Sequence, residues 1–284
     1  MRIDSHHHIW DLAIQPQPWI DGDTMKSINK DFSMEDLKNE ISGSKIEKTI
    51  LCQTARNTAE TKYFLHTAAS DPTIVGVIGW LDLNSDSAKL QIEDYKNVAG
   101  NEFLVGFREM AQDISDSGFL ARPTVIQNVQ MLGSLGFTYD LLIKEPQMDA
   151  AIQLVESAPE TQFVIDHLGK PQIADKKLDA WKQNIESLAN FPNTVCKVSG
   201  MVTESRWNSW EIQDFEPYFD VVLEAFGPSR LMFGSDWPVA LLSATYSEVV
   251  TLAEKLTSSF SRSEEDSFWR NTAVQTYKIN LPSE

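Results

Sequence analysis

Residues 48–80 read KTILCQTARNTAETKYFLHTAASDPTIVGVIGW and contain the pattern on which the fold depends. Two short runs, Lys48–Gln53 and Ile74–Trp80, are rich in Ile, Leu and Val and apolar on both faces. Strands of a parallel sheet have this composition when helices cover both of its sides. Between the two runs, Thr58–Ala69 has the spacing of a helix. The stretch therefore predicts a strand, a crossover helix and a second, parallel strand.

The same strand-then-helix order repeats along the chain. The predicted strands are Arg2–His6, Lys48–Gln53, Ile74–Trp80, Glu102–Arg108, Thr138–Ile143, Gln162–His167, Thr194–Ser199 and Arg230–Gly234. The predicted helices are Met34–Ile41, Thr58–Ala69, Pro123–Leu135, Gln147–Ser157, Leu178–Asn190, Phe215–Phe226, Ser247–Ser258 and Ser263–Tyr277, with a weaker pattern at Ser85–Lys96. Eight such units indicate an α/β fold, a (β/α)8 TIM barrel that occupies residues 1–284 as a single domain. A doubly wound open sheet is the alternative arrangement of the same elements.

The composition narrows the choice of partners. The chain has 24 Lys+Arg and 41 Asp+Glu, a net charge of −17. Such an acidic surface repels phosphates and anionic membranes, so we expect a small-molecule substrate and neither nucleic-acid nor membrane partners; a homo-oligomer is compatible with the charge.

No signal-peptide pattern precedes Asp4 and no run of about 18 apolar residues occurs, so we expect a cytoplasmic protein. Cys52 and Cys196 lie far apart in apolar runs and are predicted to be free, buried thiols.

Three consecutive histidines end the first predicted strand. Barrels of this kind carry their chemistry at the C-terminal ends of the strands. Because side chains alternate along a strand, His6 and His8 are predicted to point together while His7 points away. Two imidazoles at this spacing suit a divalent metal or a substrate carbonyl. The alternatives are an affinity-tag fragment or an ordinary polar strand end.

Two more strand ends carry groups suited to acid–base chemistry. His167 ends the sixth strand and runs into a Gly-Lys-Pro turn, and its alternative role is structural. Asp236 follows the eighth strand between Gly234 and Pro238. A carboxylate held in this way is placed to act as a general base for water. The alternative is an aspartate that caps the following helix.

Further polar and aromatic groups at the same rim are candidates for substrate binding. Arg108 is suited to hold a carboxylate or polarise a carbonyl, or to pair with a nearby acidic side chain. Lys197 stabilises an oxyanion if it points inward, and otherwise extends its charge to solvent. The complete set of candidates is Arg108, Gln53, Trp80, Glu109, Lys197 and Trp237. Tryptophans in such positions either pack against a sugar ring of the substrate or pack within the protein itself.

Several stretches match known motifs in order along the chain. They are Asp4-Ser-His-His-His-Ile-Trp-Asp11, Gly79-Trp-Leu-Asp82, Val105-Gly-Phe-Arg108, Leu135-Gly-Phe-Thr-Tyr-Asp140, Val164-Ile-Asp-His-Leu-Gly-Lys-Pro171, Cys196-Lys-Val-Ser-Gly200 and Met232-Phe-Gly-Ser-Asp-Trp-Pro-Val239. Together they resemble the amidohydrolase superfamily, and within it the sugar-lactone hydrolases that include L-fuconolactonase and L-rhamnonolactonase. The Asp-His-Leu-Gly-Lys-Pro and Phe-Gly-Ser-Asp-Trp-Pro motifs carry most of this resemblance.

The resemblance implies a metal-dependent-hydrolase-like barrel that hydrolyses a sugar lactone to its hydroxy acid. It places Asp236 as the base that activates water, and His6, His8 and His167 as the groups that stabilise the carbonyl oxygen. Relatives often carry histidine after the strand-4 arginine, where this chain has Glu109. The implied cofactor is either none or one divalent ion, with zinc preferred, held by His6, His8, Glu109 and Asp236.

Two other functions fit the same residues. One is a metal-dependent decarboxylase of an aromatic or related carboxylic acid on the same barrel, which carbon dioxide release would identify. The other is a sugar-binding barrel without catalysis, which sugar lactones would stabilise without turnover. The choice of sugar is expected to depend on the loops Gln15–Asp31 and Val202–Asp214, which are rich in Trp, Asp and Ser.

Overall fold

Eight parallel strands form one sheet in chain order in the computed structural model, which describes residues 1–281. The strands are β1 (Arg2–His7), β2 (Ile46–Cys52), β3 (Ile74–Gly79), β4 (Leu104–Glu109), β5 (Thr138–Leu141), β6 (Gln162–Ile165), β7 (Thr194–Val198) and β8 (Leu231–Phe233). Each strand pairs in parallel with the next. All eight predicted strands are therefore present, with ends that differ by a few residues.

The segment after β8 closes the sheet against β1. The Asp236 amide donates to the His6 carbonyl at 2.8 Å, and the His8 amide donates to the Trp237 carbonyl at 2.7 Å. These bonds occupy the backbone groups that an open sheet would leave unpaired at its edges. The predicted (β/α)8 barrel is confirmed, and the alternative of a doubly wound open sheet is wrong.

Helices surround the barrel and join its strands. They are α1 (Met34–Ile41), α2 (Thr58–Ser70), α3 (Ala88–Tyr95), α4 (Pro123–Ser134), α5 (Met148–Ser157), α6 (Asp179–Ala189), α7 (Met201–Glu204), α8 (Ile212–Phe226), α9 (Tyr246–Leu256), α10 (Arg262–Asp266) and α11 (Thr272–Thr276). A π-helical turn at Ser267–Asn271 joins α10 to α11, so one predicted helix is present in three parts. Within residues 1–281 no helix combines the length and apolarity needed to cross a membrane.

The apolar core has an outer and an inner layer. The outer layer packs the strands against the helices. The inner layer fills the barrel with side chains such as Ile3, Ile50 and Met232, against which Tyr277 and Ile279 of the C-terminal segment pack. Because Ile3 lies near the start of β1, this segment covers the N-terminal end of the barrel. The opposite end is thereby left for the functional site.

A β-bulge in β1 decides which side chains face the barrel interior. Asp4 pairs with Thr49 and His7 pairs with Leu51, so three steps along β1 match two along β2. The extra residue reverses the alternation, and both Ile3 and His6 contact the interior. His7 instead contacts Thr49 on the outer face.

Candidate active site

A cavity of about 290 Å³ opens at the C-terminal ends of the strands. Its size is at the lower end of the range for small-molecule sites. Its lining combines polar and charged side chains with aromatic and aliphatic ones. The lining residues are His8, Trp19, Met25, Thr54, Arg108, Met110, Gln112, Asp113, Leu142, Lys144, His167, Lys170, Thr203, Glu204, Trp207, Asp236, Val239 and Leu242.

Asp236 lies at the centre of three imidazoles. Its Oδ1 is 3.4 Å from Nε2 of His8, 3.8 Å from Nε2 of His167 and 3.9 Å from Nε2 of His6. All four side chains are almost fully buried. The structure therefore brings together the four residues that were predicted to be catalytic, although they come from strands at opposite ends of the chain.

Two backbone turns in unusual conformations direct these groups. From His167 to Lys170 every residue has positive φ, between 51° and 68°. Asp236 has φ of 58°. Non-glycine residues rarely adopt this region, which costs on the order of 1–3 kcal/mol per residue and is concentrated at functional sites. The turn after β6 thereby places both His167 and Lys170 on the cavity wall.

A buried network of charges lies next to the imidazoles. Arg108 donates to Asp166 at 2.9 Å and to both oxygens of Gln53, and its Nη1 is 3.1 Å from Nε2 of His6. Lys197 lies 2.7 Å from Asp140, 3.0 Å from Asp166 and 3.2 Å from Nδ1 of His6. Two cations and two carboxylates thus balance each other inside the barrel.

Burial decides the charge states at the centre of the site. It lowers the pKa of His6 and His8, and lowers that of His167 to about 4, so these rings are neutral at neutral pH. Burial raises the pKa of the Asp236 carboxyl, but its neighbours, foremost His167, outweigh burial and hold this pKa below its ordinary value. Asp236 is therefore an ionised acceptor.

The hydrogen-bond partners indicate which ring nitrogens carry protons. Nδ1 of His8 is 2.8 Å from the carbonyl oxygen of Cys52, which only accepts, so Nδ1 is protonated. A neutral His8 then presents its Nε2 lone pair to Asp236 Oδ1, and two acceptors face each other at 3.4 Å. In His167, Nδ1 lies 2.9 Å from the Ser199 hydroxyl, which can donate to it and leave the proton on Nε2.

The donor set fits one divalent metal ion. His6, His167 and Asp236 each offer a ligand atom within 4.8 Å of one another, and all three are buried. Two imidazoles and a carboxylate are a common zinc donor set, and a cation would also satisfy the facing acceptors of His8 and Asp236. The set differs from the predicted one because His167 belongs to it and His8 does not. Glu109 does not belong to it, since its carboxylate is bound by Arg56 at 2.5 Å and by Trp80 at 3.0 Å.

Several predicted substrate-binding residues lie outside the cavity wall that residues 1–281 form. They are Gln53, Trp80, Glu109, Lys197 and Trp237. Gln53 and Lys197 lie deeper and hold Arg108 and Asp166. Trp237 packs against Phe32, with ring centroids 5.2 Å apart, so its role here is packing. Both cysteines are buried and free, as predicted.

Other lining residues were not singled out from the sequence. Lys170 pairs with Glu204 at 3.2 Å across one wall. Trp19 and Trp207 come from the two loops that were expected to select the sugar, although no motif identified the individual residues. Asp166, which pairs with Arg108 and Lys197, was not among the residues predicted to act in the site. Its position in the Asp-His-Leu-Gly-Lys-Pro motif was the available signal.

Known proteins resemble this chain along its whole length. The amidohydrolase family model matches residues 3–279. An L-fucono-1,5-lactonase from Burkholderia multivorans is 32% identical over 295 residues, covering 100% of this chain and 98% of the relative. A second L-fucono-1,5-lactonase, from Burkholderia ambifaria, is 31% identical and covers 87% of this chain and 83% of the relative. A crystal structure of a Burkholderia multivorans amidohydrolase with bound zinc has 33% identity and a TM-score of 0.92, covering 99% of this chain and 100% of that one.

Proposed function

Since the chain belongs to the amidohydrolase family, we propose that it opens a sugar lactone by hydrolysis and releases the corresponding hydroxy acid. The observation that carries the proposal is the position of Asp236, whose ionised Oδ1 lies 3.4–3.9 Å from three imidazole nitrogens beside the cavity. The identity with the two L-fucono-1,5-lactonases supports L-fucono-1,5-lactone as the first compound to test.

Asp236 is the general base of the proposed reaction. We place the attacking water in the cavity beside Asp236, to which it donates one hydrogen, with its second hydrogen toward the Nε2 lone pair of His8. As the water oxygen attacks the lactone carbonyl carbon, its proton passes to the Asp236 carboxylate. His8 orients the water through its Nε2 lone pair, a role that differs from the expected stabilisation of the carbonyl oxygen.

Arg108 and His167 stabilise the negative charge on the former carbonyl oxygen. Four of the five N–H groups of Arg108 face Gln53, Asp166 and His6, which leaves one for the cavity. His167 supplies a second donor from its protonated Nε2. Fixed donors in a buried site stabilise a developing oxyanion strongly.

Ring opening completes the proposed reaction. The bond between the carbonyl carbon and the ring oxygen breaks, and protonated Asp236 returns its proton to that oxygen. One water is consumed, and the product is a hydroxy acid with a free hydroxyl group. If His6, His167 and Asp236 held a zinc ion, Nε2 of His167 would bind the metal instead of a proton, and the metal would polarise the carbonyl and lower the pKa of water in its place.

The cavity wall supports a single sugar ring as the substrate. Polar lining groups, including Gln112 and Lys170, can bind hydroxyls, while Trp19 and Trp207 provide aromatic surface. A volume of about 290 Å³ favours a monosaccharide lactone over a larger saccharide.

Replacing Asp236 by Asn tests the proposal. Acid release from a panel of aldonolactones is followed with a pH indicator, with and without chelator. We expect Asp236→Asn to lower kcat/KM at least about a hundredfold, because a general base accelerates a reaction by about that factor or more. Its thermal unfolding midpoint should be retained. Asp220→Asn, at an exposed position on α8, is the matched control and should keep wild-type activity. Full activity of Asp236→Asn would show that the base is another group, and carbon dioxide release without lactone opening would favour the decarboxylase.

A further inference from the structure

His6 lies between two buried cations. Lys197 Nζ is 3.2 Å from its Nδ1, and Arg108 Nη1 is 3.1 Å from its Nε2. Both neighbours are donors without any acceptor capacity. A neutral imidazole has one lone pair and one N–H, so it accepts from only one of these two cations.

The positions of the nearby carboxylates indicate whether His6 accepts from Lys197 or from Arg108. Nδ1 has an acceptor within reach, since Asp166 Oδ1 is 3.3 Å away. The carboxylate nearest to Nε2 is Asp236 at 3.9 Å, too far for a hydrogen bond. We therefore assign the proton to Nδ1, on the side of the negatively charged Asp166, whose Oδ1 has no hydrogen-bond partner within residues 1–281. The lone pair lies on Nε2 and accepts from Arg108.

We propose that Arg108 and a metal ion are alternative partners of the same His6 lone pair. With the proton assigned to Nδ1, Nε2 is the atom through which His6 joins His167 and Asp236 as a ligand. A single lone pair serves either the guanidinium or the metal. Metal binding thus requires Arg108 to release His6, and Arg108 keeps metal affinity low. The inference holds whether or not the substrate is a lactone.

The positive charge of Arg108 lowers the affinity for a metal ion, as its hydrogen bond to His6 does. A divalent ion at this site would lie beside a guanidinium that is buried and positively charged. Repulsion between nearby cations is strong where little water screens it. Asp166 offsets part of the Arg108 charge, since it pairs with Arg108 at 2.9 Å. The test therefore has to separate the effect of Arg108 from that of Asp166.

Zinc affinity measured by titration calorimetry of the chelator-treated full chain tests the proposal. We expect Arg108→Met to bind zinc about 10–100-fold more tightly than wild type, the range for removing a hydrogen bond to a charged group. Arg122→Met removes the same charge from an exposed position after β4, where it pairs with Asp116. This control should keep wild-type affinity. Equal affinities of Arg108→Met and wild type would overturn the proposal, as would an equal gain in Arg122→Met.

A double-mutant cycle separates the two explanations. Arg108→Met should tighten zinc binding in the Asp166→Asn background as well, because the lone pair is freed in both. Loss of the effect in that background would mean that Arg108 acts only by neutralising Asp166, and the proposal would be wrong. Wild type supplies a check that does not depend on how the variants fold. Its zinc-bound crystal structure should show Arg108 Nη1 beyond hydrogen-bond distance of His6 Nε2, and a retained bond would contradict the proposal.

Discussion

His7 lies between two histidines of the site but on the other face of β1. Its Nε2 is 3.0 Å from the Thr49 hydroxyl, and its Nδ1 is buried without a hydrogen-bond partner in the part of the chain that the structure describes. Burial, together with the neighbouring His8, lowers the pKa of His7 to about 3. The folded protein therefore keeps this ring neutral at pH values where the unfolded chain binds a proton.

Replacing His7 by Gln should make stability less sensitive to acid. A group with a depressed folded-state pKa contributes stability above its unfolded pKa of about 6.5, and this stability is lost as pH falls toward about 3. Between pH 6 and pH 4 we expect the slope of unfolding free energy against pH to fall by about 1.4 kcal/mol per unit. Urea unfolding at several pH values, with chelator present, measures the slope. An unchanged slope would mean that His7 is charged in the folded protein.

Individual residues differed in how well the sequence predicted their positions. Strand alternation alone predicted that His6 and His8 share a face, which the structure has. The face itself depends on the β1 bulge, which leaves no pattern in the sequence. Alternation also allowed Lys197 to point inward but did not give its depth, which depends on Asp140 and Asp166 in neighbouring strands.

At the scale of elements, the turn after β7 holds His167 in place. Gly200 has φ of 62°, and a Cβ there would lie 2.6 Å from Nδ1 of His167. This is closer than real Cβ contacts come, so the ring or the turn has to move. The turns after β6 and β7 therefore position this imidazole together.

Gly200→Ala should therefore lower activity by displacing His167. Gly227→Ala is the matched control, because Gly227 has φ of 68° and a Cβ there meets nothing within 4 Å. The control carries the larger backbone strain, because Gly227 has ψ of 161°, in a region that only glycine adopts readily, whereas Gly200 has the left-handed helical ψ of 9°. We expect kcat to fall at least about tenfold in Gly200→Ala only, since a small misplacement of a reacting group is costly. Equal kcat values in steady-state lactone hydrolysis would rule out this positioning role.

Element types were easier to predict than element ends. Apolar runs and helical periodicity identified all eight strands, because each is a short buried segment of the barrel. The sixth strand stops at Ile165, two residues before the predicted end at His167. The left-handed turn that replaces those residues depends on packing against Gly200, which is distant in sequence. Trp19 and Trp207 were likewise predicted only as members of loops, because sequence periodicity does not predict where a loop side chain lies.

Across the whole molecule, a column of polar groups crosses the barrel interior. It runs from Arg108 at the cavity through Asp166, Lys197 and Asp140 to the hydroxyl of Tyr277, which donates to Asp140 at 2.8 Å. Tyr277 belongs to the C-terminal segment that packs against the inner core. The column therefore links the end of the chain to the active-site rim.

Tyr277→Phe should destabilise the protein by about 1–3 kcal/mol, because it leaves a buried oxygen of Asp140 short of one donor. Tyr63→Phe removes a hydroxyl from an exposed ring on α2 and should have no measurable effect. Urea unfolding at constant pH compares the two variants. Equal stability of Tyr277→Phe and wild type would show that Lys197 alone satisfies Asp140.

The closure of β8 onto β1 has a consequence for how activity arises in time. His6 is synthesised before Asp236, which follows only after most of the barrel. The two meet through backbone bonds between the ends of the barrel. A nascent chain or proteolytic fragment that stops before residue 236 therefore lacks the proposed base and the cavity residues Val239 and Leu242. We expect activity only from chains that include the segment after β8.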